Sequence, residues 1–301
     1  MQKWRFARRI MFAVGLLLLS LFVGWPVYNT GILNIVHEEV RIRSGDVELA
    51  ATISLPRRGN GPFPALVSVH GSGPIRRQDL RADWRRLVPH GIVVLTYDKR
   101  GVGESSGQYG EVPVARSEEY LKTLAADARA CFEFLKKHPR VDAQKVGFFG
   151  GSQAGWIIPL AADGRDDVAF NIILAGAATS CGIEDHYSLL TGDGHRPVQP
   201  LSAEEIERRL QAYDGPVGFD PLPVLTRMKT PTLWFIGARD LSIPATRSTR
   251  TLEELRQQGV PLTVKVYPNG DHGLQDVVSR KRLPYWEDTV EWMKAQKILP
   301  R

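Results

Sequence analysis

Short, almost unbroken apolar runs constrain this chain more than any other feature. Residues 65–69 (ALVSV), 92–97 (IVVLTY), 146–149 (VGFF), 169–174 (AFNIIL), 233–236 (LWFI) and 262–267 (LTVKVY) are each too short for a buried helix and are rich in β-branched and aromatic side chains. A strand with one wet face alternates polar and apolar residues, so runs of this kind belong to strands covered on both faces, the habit of parallel sheets flanked by helices. Helical patterns fall between them. Over 117–138, Leu121, Leu124, Ala125, Ala128, Cys131, Phe132 and Leu135 share one helical face, and Lys136, Lys137 and His138 complement the dipole at its end. Further helices are expected from Gln153, where Pro159 should bend or shorten the segment, and near 245–258 and 285–295. Strand and helix in alternation, joined by right-handed crossovers, make a doubly wound α/β sheet.

Two segments depart from that pattern. Residues 38–43 and 47–55 alternate polar and apolar around Ser44-Gly45-Asp46, which predicts an N-terminal antiparallel hairpin. Residues 181–228 interrupt the alternation with loops rich in Gly, Pro and Asp. Within them Ser202-Ala203-Glu204-Glu205 is a capping box opening a helix to about Tyr213. This stretch reads as a small cap inserted over the sheet edge.

The chain has 301 residues, 43% of them hydrophobic and 24% charged, which excludes disordered, collagen-like and disulfide-scaffold classes. Its net charge of +6 raises the question of nucleic acid, and position answers it. Lys3, Arg5, Arg8 and Arg9 precede any acid, and the remaining 271 residues hold 35 of the 39 basic residues against 33 acidic ones. A nearly neutral body is no phosphate-binding surface, so no nucleic-acid partner is expected. The four cations lead into residues 10–28, an uncharged Leu-rich run of 19, long enough to span most of a bilayer roughly 30 Å thick. Residues 1–30 are therefore read as an N-terminal single-pass anchor, with 31–301 as the extracytoplasmic domain, because basic flanks resist translocation. A cleaved signal peptide, leaving a secreted body, is the alternative; the run is longer than a usual h-region and lacks a small-x-small ending. Cys131 lies late on the 117–138 helix and Cys181 follows a strand ending near that helix's start, so a disulfide, which needs Cα atoms within about 7 Å, is not expected.

The chemistry is carried by 147–155, Gly-Phe-Phe-Gly-Gly-Ser-Gln-Ala-Gly, between a predicted strand and a predicted helix. A serine on such a turn sits in a strained conformation and needs small residues two places before and after it, here Gly150 and Ala154. Asp240, in Gly-Ala-Arg-Asp, and His272, in Asn-Gly-Asp-His-Gly, each follow a predicted strand. Open parallel sheets gather ligands outside the carboxyl ends of their strands, so Ser152, Asp240 and His272 are expected at one edge. Asp240 is preferred over Asp271 as the partner of His272, because neighbouring side chains on an extended loop point apart. The turn His70-Gly71-Ser72-Gly73-Pro74 offers backbone NH groups for a developing oxyanion, and the amides of Ser72 and Gln153 are the candidates. His70 is read as organising its loop, and Ser72 lacks the surroundings of a nucleophile. His37, His90, His138, His186 and His195 show no metal-ligand spacing. Neither a phosphate loop, a dinucleotide fingerprint nor a Cys/His cluster is present, so no cofactor and no metal are expected.

These motifs resemble the alpha/beta-hydrolase superfamily, in the broad branch of dienelactone-hydrolase-like esterases and related serine peptidases, over about residues 36–297. Tyr97-Asp98-Lys99-Arg100-Gly101-Val102-Gly103-Glu104-Ser105 matches that family's Asp-x-Arg-Gly-x-Gly-x-Ser segment, in which Asp98 and Arg100 would be loop stabilisers. The order Ser, Asp, His is the one expected of the fold. The resemblance implies a serine hydrolase cleaving an ester or related bond of a small acyl substrate through an acyl-enzyme. A membrane-tethered aminopeptidase or acyl-peptidase is the alternative, for which the cap offers Glu184, Asp185, Glu204, Glu205 and Glu207 as holders of an amine. A silent hydrolase-fold binding protein is a third reading.

Overall fold

The computed structural model describes residues 34–110 and 112–300. In chain order the elements are β1 (Ile35–Ser44), β2 (Val47–Pro56), β3 (Phe63–Val69), α1 (Arg81–Leu87), β4 (Val93–Tyr97), α2 (Ser117–Lys136), β5 (Val141–Gly151), α3 (Ala154–Ala162), β6 (Phe170–Leu174), α4 (Cys181–Thr191), α5 (Ala203–Gln211), α6 (Leu222–Thr226), β7 (Thr232–Gly237), α7 (Ala245–Gln257), β8 (Leu262–Tyr267) and α8 (Tyr285–Ala295). All the strands join one sheet in the order β1-β2-β4-β3-β5-β6-β7-β8. The hairpin β1/β2 and the pair β2/β4 are antiparallel and every other neighbouring pair is parallel, the mostly parallel α/β sheet that the apolar runs predict.

The apolar runs are continuous because consecutive residues serve two cores. On β7, Trp234 and Ile236 enter one layer and Leu233 and Phe235 the other; on β5, Phe148 and Phe149 divide in the same way. The first layer is closed by Leu121, Leu124, Ala128 and Phe132 of α2, Ile157 and Ile158 of α3, and Leu252 and Leu255 of α7. The second is closed by Leu87 of α1 and by Trp286, Val290 and Met293 of α8. Full burial of one such side chain contributes about 1.5–3 kcal/mol, so a polar residue on any of these central positions would be strongly destabilising.

Several boundaries differ from the sequence reading for identifiable reasons. β5 begins at Val141, five residues before the apolar run, because Phe63 pairs with Val141 before an irregularity in register brings Ala65 opposite Val146. α3 spans nine residues with Pro159 inside it. Ser202 caps α5, its Oγ accepting from the Glu205 amide at 3.2 Å, and the helix stops at Gln211. The inserted stretch also holds α4, which the loop-like composition of that region concealed. Cys131 and Cys181 are buried free thiols. Among the described residues no helix is long and apolar enough to cross a membrane; the expected anchor at 10–28 lies outside them.

Candidate active site

β5 delivers Ser152 at its carboxyl end in a left-handed backbone conformation, φ +56°. That geometry costs a non-glycine residue of order 1–2 kcal/mol and persists because the surroundings fix it. The Ser152 amide donates to the Leu174 carbonyl of β6 at 2.9 Å, and the Ser152 carbonyl accepts from the Gly155 amide at 2.8 Å. The turn is tight enough that a Cβ on Gly150 would lie 2.5 Å from the Val69 carbonyl oxygen and 2.7 Å from the Ala154 Cβ. The alanine at 154 is therefore tolerated only because 150 is glycine.

Asp240 and His272 reach the same edge from the loops after β7 and β8. The His272 Nδ1–H donates to Asp240 Oδ2 at 2.8 Å. Asp240 is 2% exposed, and its Oδ1 accepts from the amides of Ser242 at 2.7 Å and Ile243 at 3.0 Å. Burial pulls the His272 pKa down, but the hydrogen bond and charge of Asp240, with the carboxylates of Asp193 and Glu184, hold it above its ordinary 6.5. Asp271 turns elsewhere, accepting from the Gln275 amide at 2.8 Å. Of the two candidate carboxylates, Asp271, the sequence neighbour of His272, is thus turned away, and Asp240 is the one on the imidazole.

The turn after β3 lies against the serine: a Cβ on Gly71 would stand 3.5 Å from the Ser152 Cβ. Among the described residues, the amides of Ser72 and Gln153 donate to no backbone or side-chain acceptor, which leaves both open to a ligand. His70 Nε2–H donates to the Tyr97 carbonyl at 2.5 Å; its burial, with the nearby Lys99 charge, pushes its pKa down to about 3, so it is a neutral brace. Sequence reasoning missed Lys99. This lysine is 1% exposed and its Nζ donates to the carbonyls of Gly71 at 2.8 Å and Gly73 at 3.3 Å and to Gln153 Oε1 at 3.1 Å. Its neighbours brace the loop: Asp98 binds Arg77 at 2.5 Å and the Glu104 amide at 2.8 Å, and Arg100 makes a two-pronged pair with buried Asp127, 2.7 Å on each prong.

Ser152, His272, Ser72 and Gln153 line one cavity of about 530 Å³, shared with Glu184, Asp185 and Asp193 of the cap. A second cavity of about 530 Å³ adjoins it across Ser72, Gln153, Trp156 and Glu184, and carries Tyr109, Val112, Tyr120 and Leu121 on its walls. The five cap acids divide. Glu205 pairs with Arg208 and Arg209, Glu207 with Arg247, and Glu204 is exposed, a solvated face. Glu184 and Asp185 instead face the cavities. Burial, then the neighbouring carboxylates of Asp185, Asp193 and Asp240, push the Glu184 pKa up to about 8 against the pull of His272. Of the remaining histidines, His186 lies against the Tyr213 ring in a tilted arrangement, His195 is exposed in the cap and lines the Ser152 cavity, His37 lies beside Ser54, and His138 pairs with Glu38. No group of three or more His, Cys, Asp or Glu is arranged to hold a metal among the described residues.

A mostly parallel sheet with a serine on the strand-to-helix turn, and an Asp–His pair on later loops of the same edge, defines the alpha/beta-hydrolase class. The esterase Pf2001 of Pyrococcus furiosus has the same fold, with a TM-score of 0.64 at 17% identity over 88% of this chain and 92% of that one. The chain belongs to the prolyl oligopeptidase family, whose sequence profile matches residues 80–296, and is at that level a hydrolase. An acylamino-acid-releasing enzyme of Arabidopsis thaliana is 28% identical over 141 residues, 44% of this chain but only 18% of that protein. Esterase EstD of Thermotoga maritima is 26% identical over 231 residues, 69% of this chain and 53% of its own length. The chain thus spans about a fifth to about half of these relatives.

Proposed function

We propose that this protein is a serine hydrolase that cleaves an acyl bond through Ser152, His272 and Asp240. The observation that carries the reading is the 2.8 Å hydrogen bond from His272 Nδ1–H to buried Asp240, in a cavity that strained Ser152 also lines. With Nδ1 protonated, Nε2 is free to take the Ser152 hydroxyl proton while Oγ attacks the acyl carbon. The amides of Ser72 and Gln153 receive the oxyanion, the imidazolium returns its proton to the leaving group, and water repeats the sequence on the acyl-enzyme. Asp240 fixes the tautomer and stabilises the charged imidazole without taking the proton. The name of EstD favours a carboxylic ester as the bond cleaved.

A second reading, an aminopeptidase or acyl-peptidase, is favoured by Glu184 and Asp185 in the cavity and by the name of the Arabidopsis relative. A cationic group between these two carboxyls would ionise Glu184 and be held by it. We further propose that residues 10–28 tether the body to a membrane with 31–301 on the extracytoplasmic side; membrane fractionation and intact mass test this, a mass beginning near residue 25–30 indicating cleavage. The full-length chain assayed on acyl esters of graded length and on aminoacyl and N-acyl-aminoacyl amides separates the two activities. The kinetic cycle of Ser152→Ala, His272→Ala and their double variant tests the shared mechanism: each single change removes nearly all turnover and the double is little worse. Full turnover in Ser152→Ala overturns the mechanism, and absence of any turnover in wild type with tight ligand binding points to a hydrolase-fold binding protein.

A further inference from the structure

Among buried charged groups outside the Ser-His-Asp set, Lys99 is placed unlike the others. Its two neighbours are occupied away from the site, Asp98 by Arg77 and Arg100 by Asp127, which leaves Lys99 directed at the turn after β3. Among the described residues no carboxylate lies within ion-pair distance of Nζ. Its partners are instead the carbonyls on either side of Ser72 and the side chain of Gln153, the two residues whose amides stand open beside Ser152. An ammonium has three N–H groups, and here there are three acceptors. A lysine buried with uncharged acceptors is held at a desolvation cost, which is rational where the charge and the three-point grip serve something else.

Resting on the serine-hydrolase reading above, we propose that Lys99 is a positioning residue that clamps the turn after β3 to the start of α3 and so sets the spacing of the Ser72 and Gln153 amides. Removing the clamp lets Gly71–Gly73 drift from Gln153, and one misplaced oxyanion donor costs about 10²–10³ in kcat with little effect on ground-state binding. The loss of its proton has the same consequence, since a neutral amine has only two N–H groups for three acceptors. Burial brings the Lys99 pKa down to about 8. The groups facing it are His70, a neutral imidazole, on the end of β3; Tyr109 and Tyr120 beyond the loop; Cys181, whose thiol burial pushes up to about 12; and Glu184 and Asp185 from the cap. Of these Glu184 also titrates near 8, so the experiment has to separate it from Lys99.

The test is kcat and KM from pH 5 to 10 for full-length wild type, Lys99→Met, Lys99→Arg and Glu184→Gln on one ester, with fluorophosphonate labelling of Ser152 alongside. Wild type should lose kcat above about pH 8. Lys99→Met should lose about a hundredfold or more in kcat with KM within about threefold, and its residual rate should be flat above pH 8. Lys99→Arg, which keeps charge and donors and does not titrate in this range, should recover part of kcat and lack the alkaline fall. Glu184→Gln should keep the fall. The proposal is overturned if Lys99→Arg retains the wild-type alkaline fall, if Glu184→Gln abolishes it, or if folded Lys99→Met keeps wild-type kcat. The wild-type and Lys99→Arg profiles decide the matter even if Lys99→Met does not fold. Failure of wild type to label at Ser152 would instead sink the hydrolase reading beneath it, and so is distinguishable.

Discussion

Replacing Asp240 by asparagine changes the chemistry at His272 with almost no change in shape. The amides of Ser242 and Ile243, at 2.7 and 3.0 Å, both point at Oδ1 and would pin the asparagine carbonyl oxygen there. The side-chain NH2 is then left facing His272 Nδ1, at the position where Oδ2 now accepts at 2.8 Å. Two donors cannot share one bond, so the imidazole must move its proton to Nε2, the nitrogen that in the proposed mechanism accepts from Ser152. The equivalent change in other triads lowers kcat about 10⁴-fold, which corresponds to about 5.5 kcal/mol of transition-state stabilisation. A second signature is a shift in pH dependence. In the wild type, activity should rise with pH through an apparent pKa above 6.5, because the proposed base must be neutral and the hydrogen bond and charge of Asp240, with the charge of Asp193, hold the proton on against burial. Removing the Asp240 charge leaves the downward pull of burial in command, so the residual activity of Asp240→Asn should rise at lower pH than in wild type. Stopped-flow or steady-state rates on an ester between pH 4 and 9, with circular dichroism to establish folding, make the comparison. A loss below about tenfold, or an unmoved acid limb, would refute the assignment of Asp240, as would a larger loss in Asp271→Asn.

Other perturbations probe the frame around the site. Gly150→Ala places a Cβ 2.5 Å from the Val69 carbonyl and 2.7 Å from Ala154 Cβ, and should destabilise by about 1–3 kcal/mol in urea unfolding; Ala154→Gly in the same chain should recover part of this. Asp127→Ala leaves the Arg100 guanidinium mostly buried without its two-pronged partner, and should cost about 3–5 kcal/mol by the same measurement while leaving the KM of folded enzyme close to wild type. Glu184→Gln should raise KM for free-amine aminoacyl amides by tenfold or more and leave neutral esters within about threefold; equal effects on both would remove the amine-holding reading of the cap.

The strands were legible because burial on both faces writes itself as an unbroken apolar run, as in Leu233–Trp234–Phe235–Ile236. The start of β5 was not, because Asp142, Ala143, Gln144 and Lys145 carry no such period and are held by pairing beyond an irregular register with β3. Helix α4 escaped for a similar reason: only Cys181 and Gly182 in it are fully buried, so it has no continuous apolar stripe to announce it. The serine turn could be read from its small residues, and the order of Ser152, Asp240 and His272 could be placed at one edge from strand ends alone. Local sequence does not carry long-range geometry, and that is where reading stopped. Nothing beside Lys99 marks it as buried against Gly71, Gly73 and Gln153, since the contacts cross from one loop to two others. Glu184 and Glu204 look equivalent along the chain, and only the fold puts one in a cavity and the other in water.

The central claim is that Ser152 is the nucleophile, and a fluorophosphonate adduct on the full-length active enzyme tests it most directly. Trypsin should release residues 146–165 as one peptide, bounded by Lys145 and Arg165, in which Ser152 is the only hydroxyl-bearing residue. Mass spectrometry of that peptide should show stoichiometric phosphonylation at Ser152, rising with pH as the His272 base is freed and abolished in His272→Ala. An adduct on the peptide bearing Ser72, or full loss of activity with peptide 146–165 unmodified, would contradict the mechanism.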